Sequence, residues 1–418
     1  MHSSHDASKP SRTDASEPAA MPGRVELIAL MAMLIATIAF SIDAMLPALP
    51  AMAAELSPES PNQVQLVVTI FVLGMGVGTL FTGPLSDTFG RKPVVLAGCG
   101  LYIVSAGLAA QADSLGLLLA ARLVQGLGAA GPRVVVMAII RDMFVGRQMA
   151  QIMSFVMIVF TLVPALAPSI GAVLIALAGW SAIFWAFVVF ATVVSLWLFV
   201  RLPETLPRAA RRPFSTSALL SAAREMLANR VVRLSIAVQS LVFAMLFATI
   251  SSIQPIYETM FDRADSFPIW FGVTALLSAS GSVVNAMLVV RMGMRRLVSV
   301  MLTVQVVVSA VMFLAILAGL AGDGLFAMFF FWQFVAFFQV GLTIGNLNAI
   351  AMEPMGHIAG MAASIIGFIA TVAAVILAVP VGLLFDGTAI PLTLGVLVFA
   401  IAGLAMMAGM RRAETDGH

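Results

Sequence analysis

The sequence predicts an all-α membrane protein of twelve transmembrane helices in two six-helix bundles, with both termini cytoplasmic. Three observations lead there. Hydrophobic residues make up 61% of the 418 and charged ones only 10%. Apolar runs of about 20 residues, the length that crosses a bilayer core, recur along the chain. Lys and Arg keep to alternate loops.

A soluble domain carries about 25% charged residues. With a mean hydropathy of +1.06, this chain cannot cover a water-facing surface and takes lipid as its solvent. The runs fall near 25–50, 63–86, 92–111, 114–140, 148–175, 178–201, 231–256, 267–290, 297–320, 324–351, 359–385 and 390–410. The short alternating segments of a membrane β-barrel are absent. All but three of the 22 basic residues fall in segments that lie inside if the N-terminus is inside. Arg122 and Arg133 lie within a span and Arg263 outside, and an even number of spans keeps this pattern.

Residues 1–22 are rich in Ser, Pro, Ala and charge, which predicts a disordered cytoplasmic tail. Residues 23–201 form the N-terminal six-span bundle, 202–230 a polar cytoplasmic linker, 231–411 the C-terminal bundle and 412–418 a tail. The halves echo each other. Asp87-Thr-Phe-Gly90-Arg91-Lys92 follows the second span, and Arg291-Met-Gly293-Met-Arg295-Arg296 follows the eighth. Two repeats of six helices form a transporter architecture with a site near the midplane.

Composition also excludes. The single cysteine, Cys99, rules out an intramolecular disulfide, and the four histidines lie in tails or near a loop, so no metal set is expected. The basic residues form no domain for nucleic acid. Nucleophile-elbow, phosphate-loop and metal-ligand motifs are lacking, so neither an enzyme nor a cofactor is expected. The expected partners are a small molecule, protons and the bilayer, with the chain a monomer in the inner membrane.

Four segments carry the functional signal. Gly83-Pro-Leu-Ser-Asp87-Thr-Phe-Gly90-Arg91-Lys92 sits between the second and third spans. Gly83 allows close helix approach, Gly90 a tight turn, and Asp87 can face a helix N-terminus. Asp142, at the end of the fourth span, is a candidate partner for Arg91. Arg122-Leu-Val-Gln125-Gly126-Leu-Gly128-Ala-Ala-Gly131 lies inside the fourth span. An arginine there is costly unless paired, hydrated or snorkelling to an interface. Arg133, in the same span, reads equally as structural or cavity-lining. Asp43, in Ser41-Ile-Asp43-Ala-Met-Leu46-Pro47-Ala-Leu-Pro50, is the one acid well inside a span of the first half. In a low dielectric a carboxyl favours its neutral form, as a proton carrier requires. It is either a structural acid paired with Arg122 or a coupling group, and a pair that opens on protonation would be both. Pro47, Pro164, Pro168 and Gly171 are expected bends in the first and fifth spans.

The first of these segments resembles the signature loop of the major facilitator superfamily, G-x-L-(A/S)-D-x-x-G-R-(K/R), and the second resembles the family's fourth-span R-x-x-Q-G-x-G-A-A. The Asp43 segment, together with Ala351-Met-Glu353-Pro354-Met-Gly-His357-Ile-Ala-Gly360-Met-Ala-Ala-Ser364, is similar to signatures of the Bcr/CflA (bicyclomycin and chloramphenicol resistance-type) multidrug exporters. The fifth span departs from the family's antiporter motif, matching it only at Pro168 and Gly171. The resemblance covers about 25–410 and implies drug:proton antiport by alternating access. It also implies that Asp87 and Arg91 lock one conformation, with Asp43 and Arg122 coupling protons or substrate. Candidate cavity residues are Gln125, Met157, Phe160, Gln239, Phe243, Gln339 and Asn346. The alternative is a proton-coupled importer or exporter of one metabolite. With a single acid against Arg122, neutral or mildly charged substrates are expected rather than dications.

Overall fold

The computed structural model describes residues 22–415. Fourteen α-helices follow one another: α1 Arg24–Asp43, α2 Leu49–Leu56, α3 Leu66–Phe89, α4 Arg91–Ala109, α5 Leu115–Met143, α6 Gly146–Ala178, α7 Ser181–Arg201, α8 Thr216–Ala228, α9 Arg230–Thr259, α10 Phe267–Met292, α11 Met294–Leu317, α12 Gly322–Met352, α13 Ala359–Leu383 and α14 Ile390–Thr415. Among the described residues, eleven continuous helical stretches are long and apolar enough to cross a membrane. One of them, Gly322–Leu383, runs for 62 residues, twice what a bilayer requires. It is broken at Glu353–Ile358, where Met355 leaves helical geometry (φ −110°, ψ 22°), and so divides into α12 and α13. Twelve spans result.

Two helices escaped the sequence. The first span continues past Asp43 as a turn and then α2, so it reaches Leu56 rather than 50. The linker holds α8, begun by Ser215, whose side chain accepts from the Ala218 amide at 3.2 Å. Its Ala222 and Met226 bury against α9 and α13, so this part of 202–230 is docked to the bundle. At the other end, α14 runs to Thr415, past the expected boundary at 411. The tail predicted to be disordered lies, apart from Pro22, outside the described residues.

The first group of spans packs α3 and α4 against α5, and α1 against α6 and α7. The second packs α9 against α12, α13 and α14, and α10 and α11 against α12. The groups meet where α3 runs along α13 and α6 along α10. Lipid tails are as apolar as leucine, so helices associate by close packing rather than by escape from water. The α3–α5 contact shows this: a side chain at Gly126 would strike the Phe71 carbonyl, and one at Gly74 the Leu123 carbonyl. Several hydroxyls within spans are satisfied by their own helix. Thr79, Thr82 and Thr249 each donate to the carbonyl four residues earlier, at 2.8, 2.8 and 2.7 Å.

The prolines act unequally. Pro47 sits in the break between α1 and α2, where it cannot donate to the carbonyl of Asp43. Pro164 and Pro168 lie inside α6, which continues as one helix of 33 residues. Gly171 does more than bend a helix: its missing side chain lets α6 press on the Ala44 carbonyl, at the α1 break.

Candidate functional site

Arg122 is fully buried, and its donors are used on backbone and amide. Nε donates to the Val67 carbonyl at 3.0 Å, Nη1 to Gln125 Oε1 at 2.7 Å and Nη2 to the Ser41 carbonyl at 3.1 Å. The guanidinium also lies over the Phe71 ring, 4.2 Å from its centroid, and 6.0 Å from that of Phe184. Ser41 is in the last turn of α1, where carbonyls lack intrahelical partners. A cation there satisfies one of them and complements the helix dipole. Ser41 also bonds through its hydroxyl to Tyr102 at 2.5 Å.

Asp43 is buried at 5% exposure, and none of the ion pairs among the described residues includes it. The direct Asp43–Arg122 pair expected from the sequence is therefore absent. The physical reason is that Arg122 directs Nε, Nη1 and Nη2 to Val67, Gln125 and Ser41 instead. The two residues are linked instead through the end of α1, because Arg122 holds the turn that leads into Asp43. Glu26, at the start of α1, is also engaged: Arg201 grips it with two bonds of 2.6 and 2.8 Å, and Trp197 adds a third at 3.1 Å.

A second polar cluster surrounds the Gly83–Lys92 loop. Arg91 bonds Asp87 at 2.5 Å, Ser86 Oγ at 2.7 Å and Asp142 at 2.8 Å. Its guanidinium is nearly buried while Asp87 remains 46% exposed, so the shielded Asp142 is the stronger partner. The helix N-terminus in this cluster is met by Glu204, a residue the sequence reading passed over, and not by Asp87. Glu204 accepts from the amides of Arg91 at 2.9 Å, Lys92 at 3.2 Å and Leu206 at 2.9 Å. Gly90 has φ +106°, and a Cβ on it would stand 2.5 Å from Glu204 Oε2. The turn thus needs glycine for conformation and for space. Gly83 stands against α13, where a side chain would meet Ser364 Oγ at 2.7 Å.

The remaining candidates scatter. Gln125 belongs to the Arg122 shell. Gln239 and Gln339 are buried with Oε1 unpartnered, and Asn346 bonds Asn285 at 2.7 Å. Phe243 stacks on Phe247 at 5.7 Å. Phe160 is half-buried beside the α1–α5 core, and Met157 is 40% exposed on α6. None of them lines the cavity of about 340 Å³ walled by Pro22, Arg24, Leu27, Met143, Phe144 and Gln148. The carboxylate of Glu204 could not be assigned from sequence, since nothing local says that a linker residue folds back onto α4. Tyr102 carried a signal, being one of only two tyrosines and inside a span.

Two groups of six apolar helices, buried polar side chains at their centre and a charged cluster at one end define a polytopic membrane transporter. The profile of the Major Facilitator Superfamily matches residues 29–378. The chain belongs to that superfamily, and it is a multi-pass inner-membrane transporter rather than an enzyme. It is 30% identical over 335 residues to a bicyclomycin resistance protein homolog of Haemophilus influenzae, covering 78% of this chain and 81% of the relative. A multidrug resistance protein, MdtL, of Salmonella newport is 32% identical over 58% of this chain and 60% of its own length. An uncharacterized MFS-type transporter, YdgK, of Bacillus subtilis is 28% identical over 93% and 96%. These relatives, added to the motifs, support the Bcr/CflA type. Among solved structures, a D-xylose–proton symporter superposes with TM-score 0.73 at 14% identity, over 92% of this chain and 96% of its own. The POT family transporter PepTSo superposes equally, at 13% identity over 95% and 100%. At such identities the likeness is one of fold.

Proposed function

We propose that the chain exports small, largely apolar compounds from the cytoplasm in exchange for protons, by alternating access, with both termini cytoplasmic. The observation that carries this is Asp43. It is a buried carboxyl without a cationic partner, at the break between α1 and α2, beside the helix end that Arg122 holds. Such a group can take up and release a proton without breaking an ion pair. Loss of its charge changes the electrostatics of a turn pressed by Gly171 and anchored by Arg122. Protonation then biases the balance between the two arrangements of the halves. The Arg91 cluster, with Asp87, Asp142 and Glu204, steadies one of them. The relatives named for bicyclomycin and multidrug resistance support export.

The test uses energised everted vesicles and a panel of antimicrobial compounds. Substrate addition should dissipate the proton gradient in wild type, and Asp43→Asn should abolish both this and uphill transport while leaving membrane levels intact. Uphill efflux by Asp43→Asn with a wild-type pH profile would remove Asp43 from the coupling step. Accumulation inside intact cells would favour import.

A further inference from the structure

Arg133 is the intramembrane cation of the first half that belongs neither to the Arg122 site nor to the Arg91 cluster. It lies within α5, eleven residues after Arg122, which at 3.6 residues per turn puts the two on nearly one face, about 16 Å apart along the axis. The other sides of α5 are covered. Gly126 and Ala130 face α3, and Gly128 faces Gly98 of α4. Val124, exposed at 36%, stands nine residues before Arg133 and so about half a turn away, on the opposite side. Val134, next to Arg133, lies by Gly83, whose own neighbour is Ser364 of α13 in the other half. Arg133 therefore lies one residue from the place where the two groups of helices approach. Met137, one turn further on the same face, is 37% exposed, so packing does not close that face of α5.

A guanidinium in this setting needs polar or charged partners for its donors. Nη1 of Arg133 is buried without a hydrogen-bond partner, and the ion pairs among the described residues do not include it. Arg122, by contrast, is bonded at Nε, Nη1 and Nη2. The contrast separates a cation that fixes structure from one that waits for a partner. Resting on the export reading above, we propose that Arg133 is a substrate-binding residue, and that the substrates it selects are amphiphilic compounds carrying a carboxylate or comparable anionic oxygen. The planar fork of donors suits such a group, and the apolar surroundings suit the rest of the molecule.

The experiment uses matched pairs of aromatic antimicrobials, each a carboxylic acid and its neutral amide or methyl ester. Accumulation is measured in cells producing wild type, Arg133→Gln or Arg133→Lys at equal membrane levels. Wild type should export the acids in preference. Arg133→Gln should weaken efflux of the acids at least about tenfold, the loss of one charge-assisted contact, while leaving the neutral partners within about twofold. Arg133→Lys should fall between. If wild type exports the neutral members equally well, or Arg133→Gln lowers both members alike, the proposal is overturned while the export reading stands. If wild type exports no compound of the panel, both fall.

Discussion

The Arg122 guanidinium donates to the carbonyl of Ser41 at 3.1 Å, two residues before the buried carboxyl of Asp43. Arg122 thus acts on Asp43 through the backbone that positions it. Arg122→Lys keeps the charge but offers one compact ammonium in place of three directed bonds. Leaving Ser41 O, at the end of α1, unpaired in the interior costs about 1–3 kcal/mol, while Val67 O keeps its place in the α3 ladder. We expect proton-driven efflux in proteoliposomes to fall at least about tenfold. Near-normal efflux by the lysine variant would show that charge alone suffices.

Glu204 should behave as a cap supplied from a distance. It satisfies two of the first amides of α4, and removing a cap costs about 0.5–2 kcal/mol. Glu204→Ala should lower the thermal midpoint of the detergent-solubilised protein by several degrees, while Glu204→Gln, which keeps an acceptor, should lose less. Equal midpoints for the alanine variant and wild type would mean that water replaces the carboxylate without loss.

Gly90→Ala meets three obstacles: a φ of +106°, the Glu204 carboxylate 2.5 Å from the new Cβ and Arg211 Nη2 at 2.8 Å. We expect transport to be largely lost with normal insertion. In the double variant Gly90→Ala with Glu204→Ala the carboxylate contact is relieved while the Arg211 contact and the backbone strain stay, so at most partial recovery is expected. Full activity of the single variant would show that the turn can rearrange.

The spans were legible because lipid imposes length and hydropathy on every crossing segment. The break between α12 and α13 was legible from Glu353-Pro354, where proline cannot continue the helix. Arg91 and Asp142 could be matched because each lies at a helix end on the same side of the bundle. What was hidden depended on contacts distant in sequence. Whether Arg122 would turn to Asp43 or to Ser41 O depends on the rotation of α1 about its axis, which no local pattern records. Glu204 is one of several charges in a polar linker, and only the fold brings it to α4. Helix α8 was obscured because its short apolar face, Ala222 and Met226, is flanked by Arg224, Arg230 and prolines, which read as linker.

The two halves are tied at the end of the bundle opposite the start of α1 and the end of α14. Asn62 Nδ2 donates to the carbonyls of Leu383 and Phe385 at 3.2 and 2.7 Å, and Ser252 donates to Gln65 Oε1 at 3.2 Å. Alternating access requires these bonds to open in each cycle, so they contribute to the stability of the state closed at this end. Asn62→Ala removes two of them and should shift the population toward the other state by about 1–3 kcal/mol. Cys99 is the sole cysteine and is buried, so Cys99→Ala gives a clean background for a reporter. With Ser252→Cys as that reporter, a membrane-impermeant maleimide added from the outer side should label the Asn62→Ala protein several times faster than its parent. The reporter itself removes the Gln65 bond, so both proteins carry it and only the effect of Asn62 is read. Equal labelling rates would mean that the Asn62 tie does not hold this end shut.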